Sequence, residues 1–176
     1  MPDRDAYLHA WEPDNVIRFP REQWMSEFAA PAAAYPDIDF IPIDMSAVFT
    51  SYLPGPIDLY AHINLDFGSG EPTKLVVIGA VPADHATLMC LDQATGRILM
   101  IGTKDGTLEL VNSTFKALVE YLYHFARFID EDTGHSGRAM RAIDLRARLG
   151  SIDPGAFTDP ESWWSVAFMQ LEGRTR

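Results

Sequence analysis

LVVIGAVPADHATLMCLDQATGRILMIGTKDGTLELVNSTFKALVEYLYHFARFI (75–129) decides the fold. Four strand-length apolar runs lie in it, LVVIG (75–79), ATLMCLD (86–92), RILMIG (97–102) and LELV (108–111), each bounded by Gly, Pro or Asp. Asp92-Gln93-Ala94-Thr95-Gly96 and Lys104-Asp105-Gly106 separate the later runs with turn chemistry, and Asp-Gly between apolar runs is a strong hairpin signal. The runs therefore read as an antiparallel meander. ATLMCLD is apolar on both faces, which predicts a central strand with covering layers on either side. At Asn112-Ser113 the apolar runs give way to an amphipathic helix. Either side chain can cap the first turn, and Phe115, Leu118, Val119, Leu122, Phe125, Ala126 and Ile129 then recur on one face, leaving Lys116, Glu120 and Arg127 for solvent.

Upstream, Ile57, Leu59, Ala61, Ile63, Leu65 and Phe67 alternate with polar residues, which predicts a strand over 57–67 with one wet face, closed by a turn at GSGEP (68–72). DIDFIPID (37–44) reads as an irregular or edge strand, and AAPAAAYP (29–36) as a connector. Between Tyr7 and Phe28 one or two short helices are expected, broken at Pro13 and Pro20, with Trp11, Phe19, Trp24 and Phe28 facing inward. Downstream, the polar break DEDTGHSG (130–137) precedes an Arg-rich helix near 138–149 that ends at Gly150. Asp159-Pro160-Glu161 starts a last helix carrying Trp163, Trp164, Ala167, Phe168 and Leu171. Strands followed by helices indicate an α+β fold: a single domain over 1–176, with a helical region at 1–36, a twisted, mainly antiparallel sheet at 37–112 and a helical region at 113–172.

With 176 residues, 47% of them hydrophobic and 22% charged, the chain buries roughly 70% of the surface its unfolded form exposes, enough to fold without a metal or disulfide staple. The single cysteine, Cys90, excludes an intrachain disulfide and fits a reducing compartment. Neither a signal-peptide pattern at MPDRDAYLHAWEPDN nor a membrane-span window is present, so a cytoplasmic location is expected. The net charge is -11 and uneven: residues 1–112 carry 16 acidic and 6 basic side chains, residues 113–176 carry 9 and 8. Such a field repels nucleic-acid phosphates and attracts basic proteins, although acidity for solubility alone is the commoner reason for it.

VVIG (76–79), CLDQATG (90–96), VNST (111–114) and the helix FKALVEYLYHFARF (115–128), in this order, resemble the fourth subfamily of the SUKH immunity-protein superfamily. IDP (152–154) and Trp163 fit that family's tail, and Leu53-Pro54 its entry into the sheet. The resemblance implies a sheet wrapped by helices, in a cytoplasmic protein that binds and neutralises a cognate toxin, often a nuclease or nucleic-acid deaminase with a basic surface. It assigns no catalytic role to Asp92, Gly96, Asn112 or Ser113, which are turn and cap residues. The contacts expected with such a toxin are Asp66, Glu71, Asp84 and Asp105 on the sheet's loops, together with Trp164. Adjacent helix positions point about 100° apart, so Trp163 and Trp164 do not readily share one core; one is an exposed anchor, or the pair caps the sheet edge.

No catalytic or metal constellation emerges, and no cofactor is expected. His62 and Asp66, four apart on a strand, would lie about 13 Å apart, too far for a base and its orienting carboxylate. His85 beside Asp84, His124 on a helix flank and His135 in the polar break lack further ligands at a metal spacing. Cys90 between Met89 and Leu91 reads as a buried, inert thiol, and GSG (68–70) lacks the context of a phosphate loop. Two other function classes stay open: recruitment of the scaffold as an enzyme or small-molecule binder with a cleft between sheet and helices, and an adaptor or oligomer subunit using a sheet edge.

Overall fold

The computed structural model describes residues 2–11, 13–45, 47–53, 55–66, 71–82, 84–132, 134 and 137–173. Pro54, Phe67, the Gly68–Gly70 part of the expected turn and His135 lie outside these, as does the side chain of His85.

The meander forms as expected. β6 (Thr73–Val81), β7 (Asp84–Asp92), β8 (Ile98–Gly102) and β9 (Leu108–Asn112) pair antiparallel in chain order. On the far edge of β6 lie two short strands, β4 (Phe49–Thr50), which pairs onward with β3 (Asp44–Met45), and β5 (His62–Leu65). β7 is central, and Leu88, Met89, Cys90 and Leu91 are all buried. The Asp92–Gly96 turn is built as its residues dictate: Asp92 accepts from Ala94 N (2.9 Å) and Thr95 Oγ1 (2.6 Å). Gly96 sits at φ +76°, and a Cβ there would stand 2.5 Å from Ala34 Cβ, so this turn packs directly under the N-terminal segment.

The 57–67 strand is shorter than the alternation predicts. Ile63 and Leu65 are half-buried while His62 and Asn64 are exposed, as expected, but 57–61 is irregular and Tyr60 adopts φ 67°. Instead of alternating along an edge, Leu53 and Ile57 turn onto the sheet, where they pack against Leu75, Val77, Ala80, Leu88, Cys90 and Ile101. In the N-terminal region the expected helices appear as α1 (Arg4–His9) and α2 (Arg21–Glu27), with Trp11, Phe19 and Trp24 buried. An element not foreseen lies between them: β1 (Val16–Arg18) pairs antiparallel with β2 (Phe40–Pro42) to make a separate two-stranded sheet. A three-residue strand is too short to show a period.

α3 (Phe115–Asp130) lies on the inner face of the sheet, where Phe115, Leu118, Val119 and Leu122 share a core with Val76, Ile78, Met89, Leu91, Ile98 and Val111. Its cap is Thr114, whose Oγ1 accepts from Ala117 N at 3.0 Å, not Asn112 or Ser113, and Ile129 is exposed. α4 (Arg138–Ile152) runs through Gly150 rather than ending there, because Leu149 is buried and the helix continues until Asp153. A 3-10 turn (Pro154–Phe157) leads to α5 (Trp163–Leu171), which starts at Ser162, later than Pro160. The fold is α+β, with the helices layered on one side of a mainly antiparallel sheet.

Candidate functional site

The expected acidic contacts do not form one cluster. β6 and β7 run antiparallel, so Asp84, the first residue of β7 beside the β6–β7 turn, and Asp105, in the β8–β9 turn, share one end of the sheet. Asp66 and Glu71 flank the β5–β6 connection at the opposite end, with the nine-residue span of β6 between, about 30 Å at 3.3 Å per residue. All four are exposed.

The first pair is held rigidly. Asp84 accepts from Ala86 N (3.1 Å) and Thr87 Oγ1 (2.7 Å); Asp105 accepts from Thr107 N (3.1 Å) and Thr107 Oγ1 (2.8 Å). The two hairpins are tied together by Thr103, whose N and Oγ1 both donate to Ala86 O, at 2.7 and 2.9 Å. The backbone donation from Thr107, followed by its hydroxyl, lowers the Asp105 carboxyl below its ordinary value, so it stays ionised at neutral pH.

Trp164 is not a surface anchor. It is 1% exposed, its ring stands 5.1 Å from that of Tyr121, and its Nε1 donates to Asn112 Oδ1 at 3.1 Å. Trp163 takes the half-buried position, and its backbone N donates to Glu109 Oε1. The conflict between adjacent tryptophans resolves because Trp163 packs at the margin of the same core and leaves the interior to Trp164. Around Asn112 the separate motif pieces meet: buried Asp153 accepts from Asn112 Nδ2 (3.1 Å) and Ser113 N (2.7 Å), and Tyr121 OH lies 2.7 Å from Leu149 O and 2.8 Å from Asp153 O. Asn112 and Ser113 of VNST and Asp153 of IDP thus form a buried polar node that joins sheet to helices, and the tryptophan in it is Trp164, not the Trp163 matched to the family's tail.

His62 is exposed, with Nδ1 2.8 Å from Gln93 Nε2, and among the described residues no three His, Cys, Asp or Glu side chains gather as metal ligands. Among the described residues, no helix is long and apolar enough to cross a membrane, and two clefts open beside helices. One of about 530 Å³ separates α3 from α4 and is lined by Tyr123, His124, Arg127, Phe128, Arg141 and Arg148 among others. Arg127 pairs with Glu131 (2.7 Å) and Arg141 with Asp132 (2.5 Å), while Arg148 has no ion pair among the described residues. A second groove, of about 550 Å³, runs beside Arg18, Arg21, Asp37, Asp39 and Tyr60.

Exposed apolar side chains are what the residue patterns missed. Tyr52 is 69% and Leu108 43% exposed, and Met140 and Ile143 project from α4. The alternation of Leu108 and Leu110 about Glu109 was the available signal for a half-covered edge strand.

A family model described as SUKH-4 immunity protein matches residues 10–170, and the chain belongs to that family. No curated protein and no solved structure matches the chain.

Proposed function

We propose that this SUKH-4 immunity protein acts as a stoichiometric binder in the cytoplasm, pairing with a cognate basic toxin, a nuclease or nucleic-acid deaminase, and occluding its active site. The observation that carries the proposal is the pair of carboxylates Asp84 and Asp105, fixed by their own turns at one end of a rigid sheet. Preorganised charges of this kind steer association and lose little freedom on binding. Asp66 and Glu71, at the far end, serve long-range attraction and do not share the same footprint. Mixing the purified chain with the product of the adjacent toxin gene should give a one-to-one complex and protect cells from the toxin; neither complex nor protection would refute the proposal. Association should slow steeply as salt rises from about 0.05 to about 0.5 M, where the Debye length falls well below 10 Å.

A second function class draws support from the cleft between α3 and α4. That cleft, of about 530 Å³, mixes Arg127, Arg141, Arg148 and a buried His124 with Glu131 and Asp144, so a small polar molecule is the ligand it would suit. A gene neighbourhood of biosynthetic enzymes lacking a toxin gene would favour that role.

A further inference from the structure

We propose that the open part of the sheet's outer face, centred on Leu108 and Leu110 of β9 with Leu99 of β8 beside them, is the apolar centre of the toxin interface, and that Asp84 and Asp105 are its acidic rim. This rests on the toxin-binding role proposed above.

Strand register places the residues. Leu99 pairs with Cys90 on one side and Leu110 on the other, and Ile101 with Leu88 and Leu108, so these side chains share the face that looks away from α3. Leu53, Ile57, Ala61, Ile63 and Leu65 pack against the part of this face made by β6, β7 and Ile101 of β8, and Leu99 lies half-buried at the margin of that cluster. Their cover stops short of β9: Leu108 and Leu110 belong to neither hydrophobic core, and Leu108 is 43% exposed. An apolar strip on an edge strand, bordered by polar turns, has the anatomy of a contact surface: a core to desolvate and a charged rim.

Charge decides the occupant. The segment that builds this sheet, 44–112, carries eight acidic and three basic side chains. Two copies of the chain meeting through this face would bring like charges together, whereas a partner with an apolar patch ringed by Lys and Arg gains attraction at every rim position. The helical side offers such a partner less, since residues 113–176 carry 9 acidic and 8 basic side chains and Arg148 on α4 has no ion pair among the described residues. Lys104, next to Asp105 in the β8–β9 turn, is the cation such a partner would have to avoid.

Calorimetric titration of the full chain with the purified toxin at about 0.15 M salt tests the assignment. Leu108→Glu should weaken binding at least about tenfold, Lys104→Glu should tighten it about threefold, and Arg148→Glu, on the opposite layer, should change it less than about twofold. Methyl spectra of the wild-type chain should show Leu99, Leu108 and Leu110 signals shifting on toxin addition, a readout that needs no variant to fold. An L108E affinity within about twofold of wild type, with those methyl signals unmoved, would overturn this surface while leaving toxin binding intact. A toxin-free dimer, seen by light scattering and abolished by L108E, would overturn it in favour of a second copy. Absence of any wild-type complex would overturn the proposed function and this surface with it.

Discussion

Replacing Trp164 with alanine separates a core role from an interface role. The side chain is 1% exposed and packs among Tyr121, Phe125 and Phe168, with ring centroids 5.1, 6.0 and 6.4 Å away. An aromatic side chain buries about 150–250 Å², which at about 25 cal/mol/Å² corresponds to about 4–6 kcal/mol as an upper bound. Truncations of buried Trp and Phe fall at about 3–5 kcal/mol, and that is the expected loss here. Part of it is the donor removed from Asn112 Oδ1, worth about 1 kcal/mol, so Trp164→Phe should recover most of the packing and retain only that deficit with some loss of fit. For a chain of this length the alanine variant should melt roughly 6 to 20 °C lower. Urea unfolding followed by circular dichroism measures the stability, and calorimetry well below the melting temperature measures toxin affinity of the folded protein. Loss of affinity with stability changed by less than about 1 kcal/mol would refute the packing role and restore Trp164 as a surface anchor.

Gly79→Ala should destabilise by about 1–3 kcal/mol, because the added Cβ would stand 2.5 Å from Phe49 Cε2 and 2.7 Å from the backbone oxygen of Thr50; a urea midpoint equal to wild type would show that β4 yields there. Burial pushes the Cys90 thiol up to about 12, so an aromatic disulfide reagent should fail to label the native protein yet label it fully in denaturant; rapid native labelling would contradict the burial. Burial, and after it the charge of Arg148, lowers the His124 imidazole below its ordinary value, with Glu120 acting in the opposite sense. The unfolded chain then takes up a proton that the native state resists. This contribution is fully present above about pH 6.5 and is lost as the pH falls through the lower native value, so His124→Gln should flatten the fall in stability between about pH 7.5 and about pH 5.5; identical slopes would refute it.

The meander and α3 were legible because each carries a strong local code: strand-length apolar runs closed by Asp-Gly or Asp-x-x-x-Gly turns, then a seven-residue apolar stripe at helical spacing. Errors fell where a local code had a tertiary competitor. Thr114 caps α3 while the Asn112 side chain is taken by Asp153 and Trp164, 41 and 52 residues away, and spacing alone cannot reveal those partners. Gly150 reads as a helix end, but burial of Leu149 carries α4 past it. The 57–61 alternation yields to Leu53 and Ile57, which gain more by covering the sheet than by extending an edge.

For the candidate site the division is similar. Composition established an acidic chain, and turn chemistry pointed to the exposure that Asp84 and Asp105 show, since charge and turn preference are local properties. Only the assembled sheet decided which acids stand together, and that Trp164 is interior while Leu108 is open. Those outcomes depend on strand register and on which elements cover which face, and pairings between distant segments are set by packing of the whole chain.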